Sequence, residues 1–350
     1  MTKKVAVVGI VGIPACYGGF ESLVENLTLN SSKEFSYAIF CSSKTYVNKV
    51  KEHNGAQLIY IPLNANGLSS ILYDIISLIK CYFIKPDTIL ILGVSGCVFL
   101  PFFKIFSKAK VVTNIDGLEW KRDKWNKWAR KFLKFSEAMA VKFSDIIVTD
   151  NKAISDYVKD EYNKESAVIA YGGDHAIRDY DSANEHTQYA LGLCRIEPEN
   201  NVAMILEAFY GTNKKIVFVG NWNASNFGRE LRKKYKNVKN IILMDPVYEL
   251  DILYNIRKNC NIYIHGHSAG GTNPSLVEMM HVGVPVFAYD CQFNRYSTEN
   301  KAKYFSSSDE LKQLLETDID ELKANANDMN EIALRRYTWD KITQQYEKIY

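Results

Sequence analysis

The chain has seven cysteines (Cys16, Cys41, Cys81, Cys97, Cys194, Cys260 and Cys291), but no two stand at the Cys-x-x-Cys spacing. Their scatter argues against both a zinc site and a secreted disulfide framework, and it suits a reducing cytosol. Long apolar runs are also missing. The most apolar uncharged stretch, residues 88–103, falls short of the ~20 apolar residues of a membrane span and is broken by Gly93, Gly96 and Pro101. A large charge of one sign is absent as well: 43 basic against 40 acidic residues leave a net +3, too little for a nucleic-acid protein whose global charge does the binding. No repeat and no low-complexity tract interrupts the 350 residues, so solenoid and collagen-like architectures are excluded. The opening residues imitate a signal peptide, with Lys3 and Lys4 before an apolar stretch, but Gly9, Gly12 and Pro14 break it. A buried strand running into a glycine turn is the better reading.

What is present is a chain 47% hydrophobic, long enough for about two domains. Short β-branched runs recur with helix-length segments between many of them: from Lys4, Ser36, Gln57, Thr88, Lys110 and Asp145, then, after a polar stretch at 174–188, from Tyr189, Lys215, Asn240, Asn261 and Val284. Strands alternating with helices predict parallel sheets covered on both faces, here two Rossmann-like units in tandem. In such sheets ligands sit at the carboxyl ends of the strands.

Two segments after strands carry candidate chemistry. The first turn contains Gly9, Gly12, Gly18 and Gly19 before a helical pattern from Glu21. A helix N-terminus behind glycines suits an anion, yet neither the Gly-x-Gly-x-x-Gly fingerprint nor a Gly-Lys-Ser/Thr P-loop is there; a tight turn needing glycine for geometry is the alternative. The second segment is Ile264-His265-Gly266-His267-Ser268-Ala269-Gly270-Gly271-Thr272-Asn273-Pro274-Ser275-Leu276-Val277-Glu278. Asn273 is a good N-cap and Pro274 suits the first helical position, so the positive end of a helix is expected where a diphosphate could rest. Glu278, one turn further in, can accept hydrogen bonds from sugar hydroxyls. His265 and His267 lack a third ligand at metal spacing.

These segments, with the strand end Leu191-Gly192-Leu193-Cys194-Arg195-Ile196-Glu197, resemble family 4 of the retaining glycosyltransferases. The phrases Gly-Ile-Pro-Ala-x-Tyr-Gly-Gly-Phe-Glu from Gly12 and Asp-Gly-Leu-Glu-Trp-Lys-Arg from Asp116 look like a bacterial subgroup containing rhamnosyltransferases of capsule and O-antigen synthesis. The resemblance covers essentially the whole chain. It implies an α/β GT-B fold, two Rossmann-like domains facing across a cleft: residues 1–175 on the acceptor side, 176–335 binding the nucleotide sugar, and a final helix at 336–350 packing back on the first domain. It places Arg195 and Arg295 on the donor diphosphate, Gly18, Gly19, Gly270, Gly271, Thr272 and Asn273 around the donor, and Glu278 on the ribose. Three positions depart from the family: Gly270 stands where a Glu is usual, Asn200 where a Lys is usual, and Ile115 where the His of a His-Asp pair would stand, with Asp116 retained.

The implied reaction is retaining transfer of a sugar, with dTDP-L-rhamnose the favoured donor and a UDP- or GDP-sugar the alternative, to a lipid-linked saccharide. No cofactor, metal or nucleic acid is implied. Charge builds on the departing diphosphate, so electrostatic stabilisation dominates, and Asp116 or Glu119 could orient the acceptor hydroxyl. The Asp318-Ile319-Asp320 triplet lies in a polar, helix-prone segment and reads as a solvated face. A nucleotide-sugar epimerase and a non-catalytic sugar-nucleotide sensor fit the same motifs. A further expectation concerns residues 120–143, which hold eight basic and two acidic residues. Lys124, Lys127, Lys131 and Lys134 form a helical stripe beside Trp125, Trp128, Phe132 and Phe135. That pattern predicts a cytoplasmic protein peripheral on the inner, anionic face of the membrane, with an ordinary core helix as the alternative.

Overall fold

Every one of the β-branched runs becomes a strand in the structure, a computed structural model describing residues 2–16, 18–115, 117–121, 126–179 and 188–350. The chain divides into two units, residues 1–170 with 339–350, and residues 171–338.

The first unit is built on β1 (Lys3–Val8), α1 (Gly19–Leu29), β2 (Phe35–Ser42), β3 (Glu52–His53), β4 (Ala56–Ile61), α2 (Ser69–Ile84), β5 (Thr88–Leu92), α3 (Leu100–Phe106), β6 (Lys110–Asn114), α4 (Lys127–Phe143), β7 (Ile146–Thr149), α5 (Lys152–Tyr162) and β8 (Ala167–Val168). Its sheet has the order β3-β4-β2-β1-β5-β6-β7-β8. All pairs are parallel except β3 with β4. The central strands are apolar on both faces, Val5 to Val8 and Ile89 to Leu92 being buried, because helices cover both sides. Right-handed crossovers from β4 onward put α2, α3 and α4 on one face; α3 packs against both α2 and α4.

The second unit follows with β9 (Ala190–Leu193), α6 (Val202–Phe209), β10 (Ile216–Val219), α7 (Asn226–Tyr235), β11 (Ile241–Met244), α8 (Leu250–Lys258), β12 (Ile262–His265), α9 (Pro274–Val282), β13 (Val286–Tyr289), α10 (Gln292–Ser297), β14 (Lys303–Phe305), α11 (Ser308–Leu314) and α12 (Ile319–Arg336). Its six strands are all parallel in the order β11-β10-β9-β12-β13-β14. Phe218, Trp222, Phe209 and Phe287 fill its core, and Trp222 Nε1 donates to the Met244 carbonyl at 2.9 Å. Asp318 is the N-cap of α12, its side chain accepting from Asp320 N at 2.8 Å.

The last helix, α13 (Trp339–Ile349), packs on α1 of the first unit. Asn114 Nδ2 donates to Tyr346 Oη at 2.9 Å, and the Tyr350 ring meets those of Phe35 and Tyr37 edge-on. No helix among the described residues is long and apolar enough to cross a membrane.

Candidate active site

In the second sheet β9 and β12 are neighbours, and the chain leaves β9 towards β10 on one side while β12 leads to β13 on the other. That reversal is a topological switch point, where two successive loops part and leave a crevice beyond the carboxyl ends of the strands. The loops concerned are residues 194–201, which hold Arg195, and 266–273, which lie in the second of the two segments singled out from the sequence.

Hydrogen bonds knit them together. Ser268 N and Oγ both donate to the Glu199 carbonyl, at 3.1 and 2.7 Å, and Asn201 Nδ2 donates to the Gly266 carbonyl at 2.8 Å. Only glycine fits at 266, since a Cβ there would lie 2.2 Å from the Asn200 carbonyl oxygen. Asn200, buried, takes the place where a lysine was expected and serves as a strut. Its Nδ2 donates to the Arg195 carbonyl at 2.7 Å, and its Oδ1 faces His267 Nδ1 at 2.6 Å. Because the amide nitrogen is committed to a carbonyl, Oδ1 must accept, so His267 carries its proton on Nδ1. From the other side Asn294 Nδ2 donates to the His267 carbonyl at 2.9 Å.

Gly270, in place of the expected glutamate, has φ +114°, and a Cβ on it would stand 2.9 Å from His267 Nε2. The imidazole thus occupies the space over position 270 into which a side chain would grow. Asn273 caps α9 as expected, its Oδ1 accepting from Ser275 N at 3.0 Å and Ser275 Oγ at 2.7 Å. Its side chain is therefore a cap rather than a ligand group. Thr272 is buried beside it.

The charged residues sort differently from one another. Arg195 is exposed, with an ion pair to Glu197 no tighter than 3.7 Å, and its fork is open to an anion. Arg295 is held in its own segment: Nε and Nη2 embrace Asp290 at 2.6 and 2.7 Å, and its guanidinium lies 4.2 Å from the Tyr304 ring centroid. That pair lowers the Asp290 pKa through its hydrogen bonds, and a fork already held bidentate has little to offer a diphosphate. Glu278 is half-buried on α9, paired with Arg257 of α8 and with His175 Nε2 at 3.3 Å. Burial pushes its pKa up, but Arg257 and His175 outweigh burial and hold it below the ordinary value, so it is a carboxylate. Arg257 and His175 escaped the sequence reading, because they reach the site from segments with no motif of their own, and Asn200 and His267 were named there without the hydrogen bond that joins them.

At the end of β12, His265 is buried with Nδ1 3.2 Å from Tyr263 Oη, which also meets Ser275 Oγ at 3.0 Å. Burial, with a smaller contribution from His267, drives its pKa far down, so it is neutral. His265 Nε2 and Arg257 Nε are buried without a hydrogen-bond partner, the kind of unsatisfied polar group that clusters at functional sites.

The structure thus gathers Arg195, Gly270, Gly271, Thr272, Asn273 and Glu278 at one end of one sheet. Gly18 and Gly19 belong to the first unit, Gly18 capping α1 with φ 119°. Glu119 opens a short 3₁₀ turn there, Glu119–Lys121, and Asp116 lies outside the described residues, as do Lys124 and Trp125. Lys127 and Lys131 are exposed on α4. Lys134 differs from them: it turns inward, its ammonium bonded to Tyr157 and 2.8 Å from Glu161, over the rings of Trp120, Tyr157 and Tyr162. The buried carboxylate of Glu137 draws it there, accepting from Tyr157 and Tyr162 at 2.5 and 2.6 Å.

Residues 2–174 match the family model described as "Domain of unknown function (DUF1972)", and residues 173–337 match "Glycosyl transferases group 1". No curated protein sequence matches the chain. Among solved structures, sucrose-phosphate synthase from Thermosynechococcus elongatus is similar with a TM-score of 0.80 at 13% identity, over 99% of this chain and 98% of that one. Anabaena HepE in complex with UDP gives 0.75 at 13% identity, over 99% of both chains. Starch synthase IV of Arabidopsis thaliana, bound to ADP and acarbose, gives 0.75 at 12% identity over 100% and 98%. Two parallel-sheet units in this order are the GT-B fold that these solved structures share, and residues 173–337 are similar to the glycosyl transferases group 1 family.

Proposed function

We propose that the chain is a retaining, metal-independent glycosyltransferase that takes its sugar from a nucleoside diphosphate bound at the switch point of the second unit. The observation that carries this reading is the pairing of an exposed, weakly held Arg195 on the β9 loop with the capped N-terminus of α9 on the adjoining β12 loop. A guanidinium and a helix N-terminus, both positive, suit the charge that accumulates on a departing diphosphate. The acceptor hydroxyl attacks the face from which the diphosphate leaves, and a phosphate oxygen takes its proton, so no protein nucleophile is needed. Gly270 and Gly271 let the backbone come close to the transferred sugar, with the His267 ring seated over Gly270. Glu278, ionised and 13% exposed, has lone pairs beyond those that meet Arg257 and His175 with which to accept from ribose. Asp116 or Glu119 orients the acceptor hydroxyl.

The donor we favour is dTDP-L-rhamnose and the acceptor a lipid-linked oligosaccharide of surface polysaccharide synthesis, made on the cytoplasmic face of the membrane. A UDP-sugar is the second reading, supported by the similarity to Anabaena HepE, which was solved in complex with UDP-glucose, and by the second hydroxyl that a ribose would present to Glu278. Thermal shift with dTDP, UDP and GDP separates these. A ligand at 100 times its Kd stabilises by about 2.7 kcal/mol, so the matching base stands out. A shift with UDP or GDP and none with dTDP overturns the rhamnose assignment; no shift with any of them overturns the donor site.

A further inference from the structure

We propose that helices α2, α3 and α4 of the first unit form a lipid-docking face that binds an anionic bilayer chiefly through inserted apolar side chains. The partner is that of the peripheral-membrane reading above, but the weight of binding moves from the lysine stripe to a different surface. A helix covering a sheet ordinarily turns its apolar stripe inward and its polar stripe to water. α2 does bury Tyr73, Leu78 and Cys81, yet Leu72 and Phe83 lie outward, Phe83 being 80% exposed. α3 buries Leu100 and Phe103 and presents Phe102, Ile105 and Phe106 at 61%, 70% and 78% exposure. The two surfaces are continuous, because Tyr82 Oη donates to the Phe103 carbonyl at 3.1 Å and the Tyr82 and Phe103 rings lie 4.8 Å apart. On α4 the outward residues alternate in kind: Trp128, 81% exposed, sits beneath Lys131 at 5.7 Å, with Phe135 and Lys142 further along. A clustered apolar surface of this kind marks an interaction site.

Charge selects the occupant. The acidic residues of these three helices are Asp74 and Glu137 alone, and both are buried. What remains outward on the helices themselves is cationic, with Lys127, Lys131 and Lys142 exposed on α4; just beyond the helix ends the exposed Lys85 and Lys108 stand beside the exposed Asp87 and Asp145, the latter paired with Lys104 at 2.7 Å. Two copies of such a face would repel each other, whereas an anionic leaflet attracts the lysines and takes up the aromatics.

The test is flotation of the full chain with vesicles of phosphatidylcholine alone or mixed with phosphatidylglycerol. The wild type should float with the mixed vesicles and keep part of that binding at high salt, which screens the lysines and leaves the apolar contacts. The variant Phe83→Ser/Phe102→Ser/Phe106→Ser should bind on the order of 10²-fold more weakly with an unchanged unfolding temperature, and Lys127→Gln/Lys131→Gln about 10-fold more weakly at low salt. Flotation of the triple-serine variant like the wild type, or failure of the wild type to float with either vesicle, overturns the proposal. So does a wild-type dimer that the serine variant converts to monomer without any vesicle binding, which would give the face to a second copy. The nucleotide thermal shift, run on the same samples, keeps the two readings apart: vesicle binding without any nucleotide shift removes the transferase reading and leaves the docking face standing, and a nucleotide shift without vesicle binding does the reverse.

Discussion

Replacing Arg195 by alanine separates catalysis from folding, because the structure gives this side chain almost nothing to hold up. It is 45% exposed, and its ion pair with Glu197 is 3.7 Å long. An exposed pair of that kind contributes roughly 0–1 kcal/mol, and for a domain of this size 1 kcal/mol moves Tm by about 2–4 °C. Removing a preorganised donor to a developing anion, by contrast, costs about 10²- to 10³-fold in kcat, some 2.7–4 kcal/mol of transition-state stabilisation. The assay is release of nucleoside diphosphate at saturating donor, with thermal unfolding of the same preparation. The expected result is a kcat lowered on the order of 10²-fold or more and a Tm within a few degrees of the wild type. A kcat within about threefold of the wild type would contradict the electrostatic argument, since that corresponds to well under the loss of one such donor. A large fall in Tm would show that Arg195 supports the loop instead.

Arg257→Ala should behave in the opposite way: it strips a partner from Glu278, whose side chain is only 13% exposed, and breaking a buried pair costs roughly 3–5 kcal/mol, readable in a denaturant melt. The folded pKa of Glu278 is lowered, so its contribution to stability is present above its unfolded value of about 4.3 and is lost as pH falls through the folded value. The Tm gap between wild type and Glu278→Gln should accordingly be widest near neutrality and close in acid, and a gap constant with pH would falsify the ionised pairing. Gly270→Ala meets both a φ of +114° and the His267 ring at 2.9 Å. It should lose on the order of 1–3 kcal/mol, with His267→Ala in the same chain restoring only the steric part; full restoration would mean that the backbone conformation costs nothing. Asn200→Lys, which restores the residue usual in the family the sequence resembles, should destabilise by about 1–3 kcal/mol, because it leaves the Arg195 carbonyl and His267 Nδ1 without the strut, and it should not raise turnover in the diphosphate-release assay.

The alternation of β-branched runs with helix-length segments determined the two parallel sheets, because strands covered on both faces must be apolar at every position and such runs are visible without any partner. Missed were β3, β8 and β14, two or three residues each at or next to a sheet edge, too short to show a period. The start of α9 was equally local: Asn273 and Pro274 act on the backbone immediately after them, so their meaning survives out of context. Charge was legible in amount and not in direction. The spacing placed Lys134 on a stripe with Lys127 and Lys131, but Glu137 and the tyrosines of α5 pull it inward, and the aromatic surface of α2 and α3 left no periodic contradiction to notice. Glu278 was found by its position in a motif, yet its ionisation is set by Arg257 and His175, which stand in other segments of the chain. Likewise Asn200 is a strut only because β9 and β12 lie side by side and bring His267 to it. Local periodicity and capping are properties of a segment and can be read from it; which side chains share a hydrogen bond, an ion pair or an exposed face depends on segments that meet only when the sheet has formed.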